Sequence, residues 1–136
     1  MKQLKTISII IAILTLIGAG YIWFFIWNKS ETNVADSKGI PVEAVGLFQS
    51  YVSNEQKANT NYLEKILEVS GEVNTVSTNA EGFLVVLLKT DDPMFGINCT
   101  MEQKDVVIKE GETVTLKGIC TGYLTDVVLI RCYKTK

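Results

Sequence analysis

The chemistry open to this 136-residue chain is bounded by what it contains: three cysteines, Cys99, Cys120 and Cys132, one adjacent acidic pair, Asp91-Asp92, and no histidine. Without histidine the chain lacks the commonest general base, the commonest metal ligand and the usual partner of a Ser or Cys nucleophile. The cysteines show no Cys-x-x-Cys spacing of the kind that holds zinc. Asp91-Asp92-Pro93 supplies only part of the roughly six to eight oxygens a calcium ion takes, and it reads as a turn. Asn28-Lys29-Ser30 and Asn98-Cys99-Thr100 match the glycosylation acceptor pattern, but Asn98 falls inside an alternating strand and both matches are set aside. The expectation is a non-enzymatic protein with no catalytic residues, no resident metal and no cofactor.

The elements that would carry any other function begin with residues 6–27, a run without a charged side chain. As a helix rising about 1.5 Å per residue, it reaches roughly 33 Å, enough for a hydrocarbon core of roughly 30 Å. Lys2 and Lys5 before it, and Gly18-Ala19-Gly20 within it, also fit a cleaved secretory signal. The run nevertheless continues through Tyr21-Ile22-Trp23-Phe24-Phe25-Ile26-Trp27, which puts two Trp where an interfacial aromatic belt belongs, so a retained transmembrane anchor is expected. The first cysteine is Cys99, which leaves no lipobox. Lys2, Lys5 and the amine on one side, against Lys29 and Lys38 on the other, favour a cytoplasmic N-terminus and an extracytoplasmic C-terminal domain. Beyond the anchor, 11 Lys and Arg face 15 Asp and Glu, a formal net charge of −4. That balance lacks the basic footprint of a nucleic-acid binder.

Residues 1–5 are then a cytoplasmic tail, 6–27 the transmembrane helix, 28–40 a flexible linker and 41–136 the folded domain. Pro41 suits the first turn of a helix, and Ala44, Leu47, Phe48, Tyr51, Val52 and Ala58 form one apolar stripe over about 15 to 18 residues. From Ile66 the period becomes two: Leu67, Val69, Gly71 and Val73 alternate with Glu68, Ser70 and Glu72, and Gly71 suits a bulge or bend. Residues 83–88 are apolar on both faces, so one should enter a barrel while the leading helix covers the other. Phe95, Ile97, Cys99 and Met101 alternate in a third strand. After a charged connection at 102–110, Val114, Leu116 and Cys120 alternate in a fourth. A loop at 121–126 precedes the last strand, 127–133. One helix and five strands, with a bend-forming glycine in the first strand, predict an all-β domain built as a small barrel.

These residues resemble a known family, the tRNA-anticodon-like (tRNA_anti-like) OB-fold proteins found as small exported or membrane-attached proteins of bacteria. The resemblance covers residues 47–133. It rests on Asn54-Glu55-Gln56-Lys57-Ala58-Asn59 with Tyr62 and Lys65, on Val69-Ser70-Gly71-Glu72-Val73, and on Asn98-Cys99. It continues through Gly111, Val114-Thr115-Leu116-Lys117-Gly118-Ile119-Cys120-Thr121-Gly122 and Leu124-Thr125-Asp126-Val127-Val128-Leu129 to Cys132. A membrane helix stands here in place of the lipid-modified cysteine of many relatives. The resemblance implies a five-stranded OB-fold barrel, preceded here by one amphipathic helix and a single transmembrane helix. An OB barrel binds across its second and third strands and the flanking first-to-second and fourth-to-fifth loops. In this chain that surface would draw on Lys89, Thr90, Asn98, Thr100 and Tyr123, whose plainer reading is exposed polar residues and one loop aromatic. The partner implied is an envelope protein, peptide, glycan or small ligand; the alternative, nucleic acid, is opposed by the acidic balance. OB topology sets the third strand beside the fifth. That implies a Cys99–Cys132 disulfide in an oxidising compartment with Cys120 left as a buried thiol, against the alternative of three small core residues.

Overall fold

An uninterrupted apolar run gives helix formation nothing to break against, and α1 extends over Lys2–Trp27. The computed structural model describes residues 1–28 and 33–135, in two units, Met1–Thr32 and Asn33–Lys136. Within the first, α1 is long and apolar enough to cross a membrane, and its apolar side chains are exposed along its length. At its far end Trp23 and Trp27 pair with ring centroids 5.5 Å apart.

The second unit is mostly β. After β1 (Ile40–Glu43), α2 (Ala44–Ser53) and α3 (Glu55–Tyr62) come β2 (Ile66–Thr78), β3 (Leu84–Leu88), β4 (Ile97–Met101), β5 (Thr113–Tyr123) and β6 (Val127–Lys134). Strands β2 to β6 close in the order β2-β3-β4-β6-β5, with β5 returning to β2, so the expected five-stranded barrel is present. Closure depends on the length of β2. It pairs with β5 over residues 66–72 and with β3 over residues 73–78, with a register shift between Val73 and Thr75. The alternation is as the sequence predicts: Leu67, Val69 and Val73 are buried while their neighbours reach solvent.

Of the bulge or bend expected at Gly71, the bulge is not there. The pairing of Gly71 with Val114 is regular, and a Cβ built on the glycine would lie 2.8 Å from the Cβ of Ala44. The missing side chain lets α2 approach the strand.

The leading helix departs from expectation in three ways. Pro41 lies in β1, which pairs in parallel with residues 67–70 of β2, a setting that tolerates proline because a strand paired on one side can spare an N–H. The apolar stripe is divided at Asn54, whose side chain accepts the Lys57 N–H at 3.0 Å and so starts α3. Asparagine is among the strongest N-caps, and here its local hydrogen bond outweighs helix continuity. Finally, α2 packs on β1, β2 and β6 rather than over β3, so Val85 and Leu87 on the outer side of β3 stay half-buried. Leu47, Phe48 and Tyr51 of α2 and Ala58 of α3 instead complete the core inside the barrel.

Residues 33–39, read from sequence as linker, are held at two buried positions, Val34 and Gly39, with Asn33, Ala35, Asp36 and Lys38 exposed. Val34 is 1% exposed. Lys117, on the outside of β5 and 8% exposed, donates from Nζ to the carbonyls of Ala35 at 2.7 Å and Ser37 at 2.9 Å. The rest of the linker expectation, residues 29–32, lies outside the described residues.

Candidate ligand face of the barrel

Side-chain alternation fixes what the barrel shows outward. On β4, Ile97, Cys99 and Met101 point in, so Asn98 and Thr100 point out. Register places Leu87 beside Asn98 and Val85 beside Thr100 on β3, with Val128 beside Asn98 on β6. At these positions the outer surface of β3, β4 and β6 is therefore apolar with two hydrogen-bonding side chains set into it.

One end of this face is shaped by the turn between β2 and β3. Asn79 holds it: its side-chain oxygen accepts the N–H groups of Glu81 at 3.1 Å and Phe83 at 2.9 Å, and Gly82 adopts φ +86°. The turn fixes Phe83, 36% exposed, at the rim of a cleft of about 230 Å³ shared with Thr100, Glu102, Ile130 and Arg131.

Arg131 reaches the cleft through a bulge. Two steps along β4, from Cys99 to Met101, match three along β6, from Leu129 to Cys132, and Arg131 takes φ +55° within the extra residue. A strict alternation from Val127 and Leu129 would have turned Arg131 inward. The bulge turns it out, where its Nε meets the Glu102 carboxylate at 3.2 Å. The same oxygen accepts the Tyr133 hydroxyl at 2.9 Å, and that bond holds the Tyr133 phenol above its ordinary pKa.

The opposite end is tied by loop hydrogen bonds. Asp126 accepts the Gly96 N–H at 2.8 Å, and the Val127 N–H donates to the Gly96 carbonyl at 3.1 Å. Gly96 must lack a side chain, since a Cβ there would sit 2.2 Å from the Leu88 carbonyl oxygen. The fourth-to-fifth connection is shorter than expected because β5 continues to Tyr123 through Gly122 at φ +123°, and Leu124 at its tip is 86% exposed.

Of the five residues singled out from sequence, the structure brings Asn98 and Thr100 together on this face. Lys89 and Thr90 lie elsewhere: they line a groove with Val45, Ser70 and Glu72, where Lys89 pairs with Glu72 and Thr90 donates to the Phe95 carbonyl at 2.6 Å. Tyr123 belongs to helix packing, stacking on Tyr51 at 5.7 Å and meeting Phe48 edge-on at 6.1 Å. Phe83, Ile130 and Arg131 were not anticipated. The Asn79–Gly82 turn could have flagged Phe83, but nothing in the alternation of β6 signals the bulge. Asp91 and Asp92 serve the β3–β4 loop, Asp91 bonded to Gln49 and Asp92 accepting the Met94 and Phe95 N–H groups at 2.8 and 2.9 Å. Among the described residues no three His, Cys, Asp or Glu cluster as a metal site.

All three cysteines are buried free thiols. Cys120 lies opposite Leu129, two residues beyond the Val127 position expected from hairpin register, because β5 runs on to Tyr123, which itself faces Val127; the extra residue between Cys120 and Gly122 then sets Leu129 rather than Ile130 opposite it. Its Sγ is 3.3 Å from the Tyr51 hydroxyl, and burial foremost pushes that phenol far above its usual pKa.

No curated protein sequence matches the chain. A solved structure described as a putative nucleic acid-binding lipoprotein from Klebsiella pneumoniae subsp. pneumoniae MGH 78578 superposes with a TM-score of 0.56 at 16% identity, covering 80% of this chain and 100% of that one. At that identity the likeness speaks for the fold. The tRNA_anti-like family profile matches residues 1–134, almost the full length. A five-stranded OB barrel behind a long apolar helix, matched over that span, makes this chain a member of the tRNA_anti-like family.

Proposed function

We propose that this protein is a membrane-anchored OB-fold binding module of the bacterial cell envelope, without catalytic activity, that holds a protein or peptide partner on the outer face of β3, β4 and β6. Helix α1 supports the anchoring, because it is long and apolar enough to cross a membrane. Lys2 and Lys5 at its start favour a cytoplasmic N-terminus, leaving the barrel extracytoplasmic. The observation that carries the binding reading is the face itself: Val85, Leu87 and Ile130 are part-exposed around Asn98 and Thr100, with Phe83 at the rim. Part-exposed apolar groups with a few fixed polar ones suit a proteinaceous partner.

The description of the Klebsiella neighbour favours a second reading, nucleic-acid binding. That chemistry uses cations that neutralise phosphates and aromatics that stack bases. Here Arg131 is engaged by Glu102, the cleft also holds Glu81, and Phe83 is its one aromatic.

The test is crosslinking in intact membranes with the full chain. A defined protein partner should be captured, and its yield should fall at least tenfold for Phe83→Ala combined with Asn98→Ala, while the protein stays in the alkali-resistant membrane fraction. Retention of single-stranded RNA or DNA by the purified protein, lost steeply as salt rises, would replace this reading with the nucleic-acid one. Recovery of a soluble species lacking residues 1–20 would remove the anchor.

A further inference from the structure

Cys99 and Cys132 are both fully buried, on β4 and β6, the one parallel strand pair in the closed barrel among the described residues. Cys99 pairs with Leu129 and Cys132 with Met101, so the bulge at Arg131 decides their relation. The extra residue in β6 turns Cys132 inward, toward the side of β4 that carries Cys99. Gly118 of β5 makes room for it, since a Cβ at that position would lie 2.4 Å from the Cys132 Sγ. Cys132 faces Met101, so it sits one side-chain step from Cys99 along the inner face of the β4–β6 pair. Cys120 is set apart, its sulfur against the Tyr51 hydroxyl.

We propose that Cys99 and Cys132 form a disulfide that ties β4 to β6 when the domain folds under oxidising conditions, and that Cys120 stays a thiol. The chemistry is thiol–disulfide exchange with a small disulfide such as oxidised glutathione. One cysteine thiolate attacks the oxidant, forming a mixed disulfide and releasing one glutathione thiolate; the second cysteine thiolate then displaces the other glutathione. The two cysteines lose two protons and two electrons, and the oxidant is reduced to two thiols. Exchange must precede closure of the barrel, because both sulfurs are sealed afterwards. In addition, the hydrogen bond to Cys132 and burial hold the Cys99 thiol well above its ordinary pKa, which suppresses the nucleophilic thiolate in the folded state. Pairing in the cell rests on the extracytoplasmic placement proposed above, whereas competence to pair rests on the barrel alone.

Tryptic mapping separates the possibilities, because cleavage at Lys89, Lys104, Lys117, Arg131 and Lys134 puts each cysteine on its own peptide. The full chain, purified in detergent, is reduced, unfolded and refolded with oxidised glutathione, then alkylated and digested without reductant. Fragment 90–104 should be linked to fragment 132–134, with Cys120 alkylated. A Cys120→Ala variant should give the same link, and reduction should lower the urea midpoint of both. Three alkylated cysteines, or a link from fragment 118–131 to either of the others, would overturn the proposal. A second arm alkylates whole cells before lysis. If the refolded protein is bridged but the cellular protein is not, the pairing stands and the extracytoplasmic placement fails.

Discussion

Gly71 and Gly46 make opposite demands on the same helix. A methyl at Gly71 would lie 2.8 Å from the Ala44 Cβ, closer than packed carbons tolerate, whereas a methyl at Gly46 meets nothing within 4 Å. Gly71→Ala should therefore destabilise the domain by about 1–3 kcal/mol through overpacking. Gly46→Ala should stabilise it by about 0.5–1 kcal/mol, since alanine is the better helix former at an exposed site. Urea denaturation of both variants checks the pair, and equal effects would mean that α2 does not seat on β2 as described. The sequence marked Gly71 as special through its place in an apolar alternation, yet the cause it suggested, a bulge, was local, and the real cause is a residue 27 positions earlier in the chain. Tyr123 shows the same limit: its place beside a loop is legible, but the Phe48 and Tyr51 rings of α2 that pack against it are not.

At the scale of elements, the strands were legible because burial on one face imposes a period of two, and β2, β4 and β5 carry it plainly. The helix boundary was less so: Val52 continues the apolar stripe of α2 but is 54% exposed, and Asn54 stops the helix by a hydrogen bond that periodicity does not register. The strap at residues 33–39 was invisible for another reason. One buried valine and backbone carbonyls bonded to a distant lysine leave no pattern in composition. Its anchorage makes a measurable difference. Val34→Ala removes two buried methyl groups, about 2 kcal/mol of local stability, which corresponds to roughly 30-fold faster opening-limited cleavage. Tryptic cleavage after Lys38 should accelerate by that order, and Lys117→Met should act in the same direction. Unchanged cleavage in both variants would mean that the strap is not held by these contacts.

For the molecule as a whole, composition spoke clearly about α1 as a long apolar helix, and about barrel architecture through the count and spacing of strands. It said little about the face proposed to bind, because the bulge that turns Arg131 outward and Cys132 inward is a property of pairing between strands. The parallel pairing of β1 with β2 bears on how such a domain behaves at high local concentration. Strand β1 occupies the backbone groups of β2 at residues 67–70 that would otherwise face outward. The outer edge it leaves is only four residues long and includes Pro41, which has no N–H to offer. A version of the barrel beginning at Ala44 should accordingly self-associate, with light scattering that rises with protein concentration, while one beginning at Asn33 should stay monomeric. Equal scattering from the two would show that β1 shields nothing. By this account the four residues beside the barrel keep neighbouring copies from joining edge to edge into fibres.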